Sequence, residues 1–321
     1  MKHESSNSSG LQAPFRGKLK EEQKKTNTSN YQTRKANFKL DKDVILAEST
    51  KTQFDECLAK LRFHKIIYSD WGFSSVDPLG MSTILNFYGP PGTGKTLAAE
   101  ALAGTLDLPF IQLGIAELES KFMGDTAKNI QAAFEAARES SAVIFFDEAD
   151  TLLGKRLSSV TQGVDNEVNA MRSTLLIELE RFDGIAIFAT NFAKNYDEAF
   201  RSRISHHIKF DLPDFAARKR MWDRMLVKGI PIAGERGLLI ENCSELSDGF
   251  SGREIRTCMR LSLPKALLDA ESLSLDAKLS IEHLESAIKQ IRSANAEVAC
   301  GDTRRQSISD SITSKKLLGV N

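Results

Sequence analysis

Short apolar runs rich in β-branched and aromatic residues recur along the first two thirds of the chain. They lie at Ile84–Tyr88, Phe110–Leu113, Val143–Phe146, Ile185–Ala189 and His207–Phe210. Runs of this length and composition predict buried strands. Several of the intervals between them are long enough for a helix, and this alternation predicts a parallel α/β sheet flanked by helices.

The spacing of apolar residues between the runs predicts two helices, over Thr96–Leu106 and Thr126–Glu139. The second helix has one apolar face that is expected to lie in the core, formed by Ile130, Ala133, Phe134 and Ala137. The aromatic segment Trp71–Phe73 is also expected to be core. These positions carry little information about function.

After Asp211 the strand pattern stops and a helical pattern begins. It runs through Phe215–Val227, Arg253–Leu268 and Ile281–Arg292. We therefore expect four parts: a basic arm (1–38), a large α/β domain (39–212), a smaller helical domain (213–293) and a loose tail (294–321).

Charge is segregated along the chain although the formal net charge is zero. The first forty residues carry nine Lys/Arg against three Asp/Glu, and the remainder carries 34 against 40. A basic arm would suit nucleic acid or a membrane surface, but its Ser, Asn, Gln and Lys suit a solvated tail, which is the favoured interpretation.

Neither a membrane span nor a secretory signal is evident from the hydropathy pattern. Apolar runs stay well below the about eighteen residues that a spanning helix needs, and the first residues lack the apolar region of a signal peptide. Cys57, Cys243, Cys258 and Cys300 are far apart and lack metal-ligand spacing. We expect buried free thiols, a cytoplasmic protein and no membrane partner.

A phosphate-binding loop is predicted between the first apolar run and the helix that follows it. The loop reads Gly89, Pro90, Pro91, Gly92, Thr93, Gly94, Lys95 and Thr96, with Leu97 continuing into the helix. Glycines allow backbone N–H groups to surround phosphate oxygens, and a helix N-terminus adds partial positive charge. Lys95 would reach the β- and γ-phosphates and Thr96 would ligate Mg²⁺. The alternative is a Gly/Pro turn without a ligand.

Two adjacent carboxylates, Asp147 and Glu148, follow the apolar run that ends at Phe146. Ligands bind at the carboxyl ends of parallel strands. Asp147 would hold Mg²⁺ and Glu148 would polarise the attacking water. At the end of the next strand, Asn191 would orient that water. The alternatives are acidic residues that cap a helix and an asparagine in a turn.

The chain resembles the AAA+ ATPases, and within them the single-ring protein remodellers. The resemblance covers about 40–292 and rests on four motifs: Gly89–Thr96, Phe145–Asp150, Phe188–Asn191 and Asp248–Ile255. It implies a P-loop fold with a helical lid, ATP and Mg²⁺ as cofactors, ATP hydrolysis and a homo-oligomer of hexamer size. It also implies that Asn191 is a sensor residue.

The resemblance further implies that Arg201 and Arg203 are arginine fingers at a subunit boundary. A guanidinium from a neighbour would neutralise charge on the γ-phosphate. This segment is shorter between its arginines than the common family form, and Arg203 is slightly favoured. Arg253 occupies the place of a second sensor arginine in many AAA+ proteins, or it forms a salt bridge at a helix start.

The segment Phe122, Met123 and Gly124 is similar to the family's first pore loop. A bulky side chain would grip polypeptide, and a glycine would let the loop move. The alternative is that Phe122 packs on the following helix as a hydrophobic staple.

Three functions remain open from the sequence. The leading hypothesis is a hexameric remodeller that threads a protein client, recognised directly or through an adaptor. The second is a nucleotide-dependent scaffold or switch that acts with DNA or a partner enzyme, and nucleic acid is not favoured as a partner. A P-loop kinase is third, because a lid domain and paired arginines would be idle in it.

Overall fold

The computed structural model describes residues 31–77, 82–114, 125–153, 163–191, 196–274 and 276–297. The chain divides into two compact units, with the boundary between Asp211 and Leu212. The segment Phe122–Gly124, most of the basic arm and most of the tail lie outside the described residues.

The first unit contains a six-stranded sheet. Its strands are β1 (Arg34–Lys35), β2 (Thr83–Tyr88), β3 (Pro109–Gly114), β4 (Val143–Asp147), β5 (Ile185–Thr190) and β6 (His206–Lys209). The spatial order is β1-β3-β4-β5-β2-β6. All neighbours are parallel except β1, which pairs antiparallel with β3. The five predicted strands are confirmed, with ends that differ by a residue or two.

The helices of this unit lie before, between and after the strands. They are Leu40–Asp43, Glu48–Lys65 with a π-helical extension Ile66–Asp70, the 3₁₀ turn Phe73–Ser75, Lys95–Thr105, Asp125–Ser140, Asp150–Leu153, Gly163–Arg181 and Glu198–Arg201. Both long helices that the sequence predicts here are present. The predicted apolar face of Asp125–Ser140 is buried.

The sheet is covered on both faces, which explains its unbroken apolar runs. In β4, Ile144 and Phe146 join one buried cluster, whereas Val143 and Phe145 join the cluster on the opposite face. Successive side chains of a strand point to opposite faces, so a strand buried on both faces shows no alternation in its sequence.

A strap of residues Arg34–Leu40 lies along the helix Lys95–Thr105. Both terminal nitrogens of Arg34 donate to the carboxylate of Glu100, at 2.6 and 2.8 Å. A Cβ added to Gly104 would lie 2.0 Å from the carbonyl oxygen of Phe38, so only glycine permits this approach. The sequence prediction places Arg34 and Phe38 in the arm, whereas the structure places them in this strap.

The expectation that Trp71–Phe73 is core is wrong. Trp71 is 76% exposed and Phe73 is 45% exposed. The chain turns away at Gly72, whose φ is 72°, and Tyr68 from the preceding π-helical turn is the aromatic side chain that is buried here. An irregular turn changes which residue faces the core. A prediction based on regular helical periodicity does not include that change.

The second unit is helical, as the sequence predicts. Its helices are Phe215–Met225, Arg236–Leu246, Gly252–Leu273 and 281–297. They enclose a core around Trp222. Ser251 caps the third helix and forms a capping box with Glu254.

Cys57, Cys243 and Cys258 are buried free thiols, as expected, and burial raises the pKa of each to about 12. Cys300 lies outside the described residues. Across the described residues, every helix is too short or too polar to span a membrane.

Candidate active site

The loop Gly89–Gly94 connects β2 to the helix Lys95–Thr105, and its three glycines all have positive φ. Gly89 and Gly94 are required for different reasons. At Gly89, with φ of 144°, a Cβ would lie 2.1 Å from the carbonyl oxygen of Phe210. At Gly94, with φ of 100°, the space is open and the backbone conformation alone excludes other residues. The loop therefore keeps its backbone close to the sheet and turns sharply into the helix.

Lys95 is at the centre of the hydrogen bonds that join the loop to the sheet. Its ammonium donates to the carbonyls of Gly89 at 2.7 Å and Pro90 at 2.9 Å, and to Oδ1 of Asn191 at 3.0 Å. The residue is only 8% exposed. A buried ammonium that faces exchangeable oxygen partners is suited to an anionic phosphate, which would bind it more strongly than neutral carbonyls.

Thr96 and Asp147 lie next to each other. The hydroxyl of Thr96 donates to Oδ2 of Asp147 at 3.1 Å. A hydroxyl beside a carboxylate suits Mg²⁺, which binds few protein ligands and keeps phosphate and water for the rest. The described residues contain no group of three or more His, Cys, Asp or Glu that would hold a metal by themselves. The pair fits an ion that arrives with a nucleotide.

Glu148 is exposed and adopts a left-handed backbone conformation, with φ of 55°. Its N–H donates to Oδ1 of Asp147 at 3.0 Å. A non-glycine residue with this φ is strained, and such strain collects at functional sites. No local pattern in the sequence predicts this conformation.

Asp150 connects the turn after β4 to the end of β5. Its carboxylate accepts the backbone N–H of Asn191, at 3.1 Å to the nearer oxygen. The N–H of Ala149 donates to the carbonyl of Ala189 at 2.9 Å. The turn that carries Glu148 is therefore fixed to the strand end that carries Asn191.

The order of the strands explains why these residues meet. β5 lies between β4 and β2, so the three strand ends that lead to Glu148, Asn191 and the loop are adjacent. Tyr88 at the end of β2 is in register with Thr190. The structure thus brings together Lys95, Thr96, Asp147 and Asn191, which we call the phosphate-site cluster.

The two arginines differ in their surroundings. Arg201 ends the short helix Glu198–Arg201 and is exposed. Arg203 is half-buried, donates to the carbonyl of Ala199 at 2.7 Å and forms an ion pair with Glu180. Among the described residues, no hydrogen bond or ion pair joins either arginine to the phosphate-site cluster. Glu180 was not among the sequence predictions, since nothing local in the sequence pairs it with Arg203.

Arg253 lies in the second unit, exposed in the first turn of the helix Gly252–Leu273. Its carbonyl accepts the hydroxyl of Thr257 within that helix at 2.9 Å. The predicted pore residues Phe122, Met123 and Gly124 lie outside the described residues.

A family comparison identifies this arrangement. Residues 85–212 match the ATPase family associated with various cellular activities, AAA. The chain carries an AAA ATPase domain. The family assigns ATP hydrolysis and nucleotide binding to this domain, and the matched range contains the whole phosphate-site cluster.

Individual relatives agree with the family match. The proteasome-activating nucleotidase of Methanopyrus kandleri is 34% identical over 197 residues, which are 59% of this chain and 44% of that protein. The cell division cycle protein 48 homolog of Archaeoglobus fulgidus is 34% identical over 228 residues, 66% of this chain and 31% of that protein. The chain thus spans less than half the length of these curated relatives.

Among solved structures, the AAA domain of FIGL-1 in complex with ADP has a TM-score of 0.56 to this chain at 24% identity. The likeness covers 69% of this chain and 78% of that one. It shows that the AAA domain described above has the fold of that domain.

Proposed function

We propose that this AAA protein is an ATP-driven protein remodeller that assembles into a homo-oligomeric ring, with six subunits as the expected number. One observation carries the proposal: the phosphate-site cluster is formed within one chain, whereas Arg201, on the same unit, is exposed and has no ion-pair partner in the described residues. Such an arginine suits a partner site on another subunit.

ATP would bind along the loop Gly89–Thr96 and the start of the following helix at Leu97. Lys95 would exchange its carbonyl partners for phosphate oxygens, and Thr96 and Asp147 would hold Mg²⁺. The bound ion would neutralise charge on the phosphates. The ADP in the FIGL-1 complex supports a nucleotide as the ligand of this fold.

Hydrolysis to ADP and phosphate would use groups at the ends of β4 and β5. Glu148 is exposed beside Asp147, where its carboxylate would accept a proton from the attacking water. Asn191 already bonds Lys95 and would orient that water against the γ-phosphate. The hydrogen bond from the Asn191 N–H to the Asp150 carboxylate would keep Asn191 and Glu148 in fixed relative positions.

Completion of the site would require a neighbouring subunit. Arg201 or Arg203 would reach the γ-phosphate of that neighbour, a contribution of about 10³ or more in other NTPases. Arg203 would have to leave Glu180 to do so, whereas Arg201 would not. Arg253 would act as a second sensor from the lid.

A protein is the proposed client. The names of the relatives, which include a proteasome-activating nucleotidase and a 26S proteasome regulatory subunit 7 homolog of Saccharomyces cerevisiae, connect them to the proteasome. Phe122, Met123 and Gly124 would form the pore loop that grips the client, with an adaptor as an optional route of delivery.

The proposal is tested by measuring the ATPase rate per subunit against protein concentration, together with the mass of the Glu148→Gln variant in ATP by light scattering. A cooperative rise in rate with a hexamer-sized mass is the expected result. A monomer with a constant rate per subunit would contradict the shared site. A ring in which Phe122→Ala hydrolyses ATP and still processes clients would remove Phe122 as the residue that grips the client.

A further inference from the structure

A cluster of polar side chains is buried between β2, β5 and β6, outside the phosphate-site cluster. Asn86 is fully buried in the middle of β2, where an apolar residue would be ordinary. Thr190, at the end of β5, is 1% exposed. Burying an amide and a hydroxyl costs free energy unless both are hydrogen-bonded. Their common partner is the hydroxyl of Tyr196.

The chemistry of the Asn86 amide determines the direction of its hydrogen bonds. Nδ2 of Asn86 can only donate, and it lies 3.0 Å from Oη of Tyr196 and 3.3 Å from Nδ1 of His207. The Tyr196 oxygen accepts from Asn86, and it also shares a hydrogen bond with Oγ1 of Thr190, 2.9 Å away, in which either hydroxyl can donate. The Tyr196 and His207 rings are stacked, with centroids 6.2 Å apart.

Tyr196 lies just before the helix that carries Arg201. It directly precedes Asp197, whose carboxylate caps that helix by accepting the N–H of Ala199 at 2.9 Å. Thr190, its partner, directly precedes Asn191. One hydroxyl therefore connects the residue that precedes Asn191 to the residue that precedes the N-cap of the helix Glu198–Arg201.

Two further contacts hold the helix Glu198–Arg201 in the fold. Phe200 is 1% exposed and anchors the helix in the core. The N–H of Asp197 donates to the carbonyl of Leu153 at 2.8 Å. The Tyr196 hydroxyl differs from these contacts, because it reaches polar side chains of β5 and β2, one of which directly precedes Asn191.

We propose that Tyr196 is a positioning residue, whose hydroxyl bonds to Thr190 and Asn86 set the direction in which an arginine is presented to the active site of the neighbouring subunit. The inference rests on the proposed function, because it requires a site shared between subunits. Tyr196 itself touches no reacting atom. Misplacement of a catalytic group by about 1 Å costs up to about a hundredfold in rate, so a small tilt of the helix is sufficient.

The experiment uses rings of two kinds of subunit that are inactive alone. The acceptor carries Arg201→Ala and Arg203→Ala and keeps an intact phosphate site. The donor carries Glu148→Gln and keeps both arginines. Mixing them restores hydrolysis where an acceptor site meets a donor arginine. Tyr196→Phe is then introduced on the donor only, or on the acceptor only, and kcat and KM for ATP are measured.

We expect Tyr196→Phe on the donor to lower kcat about tenfold with KM unchanged, and the same change on the acceptor to have little effect. A general structural role of the hydroxyl would not distinguish the two placements. Equal losses on both sides, a loss on the acceptor only, or no loss on the donor would each overturn the inference.

The matched control is Tyr68→Phe on the donor. Tyr68 also uses its hydroxyl in one side-chain bond, to Asp77 at 3.1 Å, far along the chain from the arginines. It should leave kcat unchanged. If the donor without any tyrosine change fails to restore activity to the acceptor, the shared site itself is wrong, and the proposed function fails before Tyr196 is tested.

Discussion

The phosphate-site cluster and the arginine segment (Tyr196–Arg203) lie in the same unit but differ in how complete they are. In the cluster, Lys95 already bonds Asn191 and Thr96 already bonds Asp147. In the segment, Arg201 is exposed and Arg203 is held by Glu180. Under the proposed function, groups that act within the chain are positioned by folding, whereas a group that acts on a neighbouring subunit is exposed on the surface.

This difference indicates two kinds of constraint on one domain. The cluster must keep buried polar groups satisfied in the absence of nucleotide, and it does so with bonds that a phosphate can replace. The arginine segment must fix a backbone direction while leaving a side chain unengaged. Substitutions should therefore affect binding and hydrolysis differently in the two regions.

The largest effect is expected from Glu148→Gln. Loss of the proton acceptor should lower kcat by up to about 10⁴, while the Kd for ATP stays close to that of the unchanged protein, since Glu148 takes no part in the phosphate loop. Turnover and equilibrium nucleotide binding are the measurements. Glu139→Gln, at an exposed helix end, is the matched control. Normal hydrolysis by Glu148→Gln would remove this residue from the mechanism.

The second-largest effect is expected to distinguish Arg201 from Arg203. Arg201→Ala should lower kcat by about 10³ with unchanged thermal stability, because its side chain lacks an ion-pair partner in the described structure. Arg203→Ala should lower the thermal midpoint as Glu180→Gln does, because each breaks the same ion pair. A kcat loss confined to Arg203→Ala would instead make Arg203 the finger, as the sequence slightly favours.

A smaller effect is expected at the loop glycine closest to the sheet. Gly89→Ala places a methyl group against the carbonyl of Phe210, so the loop must move, and stability should fall by about 1–3 kcal/mol together with weaker ADP binding. Gly229→Ala is the matched control, since a Cβ there meets nothing within 4 Å. Equal behaviour of both variants in urea unfolding would contradict the packing argument.

The smallest effect concerns pH. Partial burial lowers the pKa of His207, and the charges of Arg201 and His206 lower it further. The unfolded chain therefore binds more protons than the folded chain just below about pH 6.5. Stability should be full above that pH and decline as the pH falls towards the lowered value.

His207→Gln should remove this part of the decline. Urea midpoints measured above and below about pH 6.5 for both proteins would show it. Parallel pH profiles of the two proteins would mean that His207 does not contribute.

The elements that could be predicted from the sequence are those encoded by a short local pattern. The apolar run before Asp147 predicts a strand buried on both faces, and the glycines before Lys95 predict the phosphate loop. Each is encoded within a few consecutive residues. The carboxyl ends of parallel strands meet at one edge of the sheet, which is why Asn191 was expected near the loop.

Contacts between distant residues could not be predicted in this way. Tyr196 and Asn86 meet across 110 residues, and neither has a neighbour in sequence that marks it as polar core. The error at Trp71 has a related cause, because a π-helical turn changes the facing of the chain without changing its composition. Tertiary geometry, and not local preference, decides such positions.

The strap Arg34–Leu40 has a practical consequence for anyone who prepares this domain. The family match begins at residue 85, but a fragment cut there would lose the whole strap, and with it the ion pair from Arg34 to Glu100 and the close approach of Phe38 to Gly104. The face of the helix Lys95–Thr105 that the strap covers would then be exposed. The smallest piece that can be expressed and purified in a folded state should therefore begin before Arg34, well upstream of the residues that define the family.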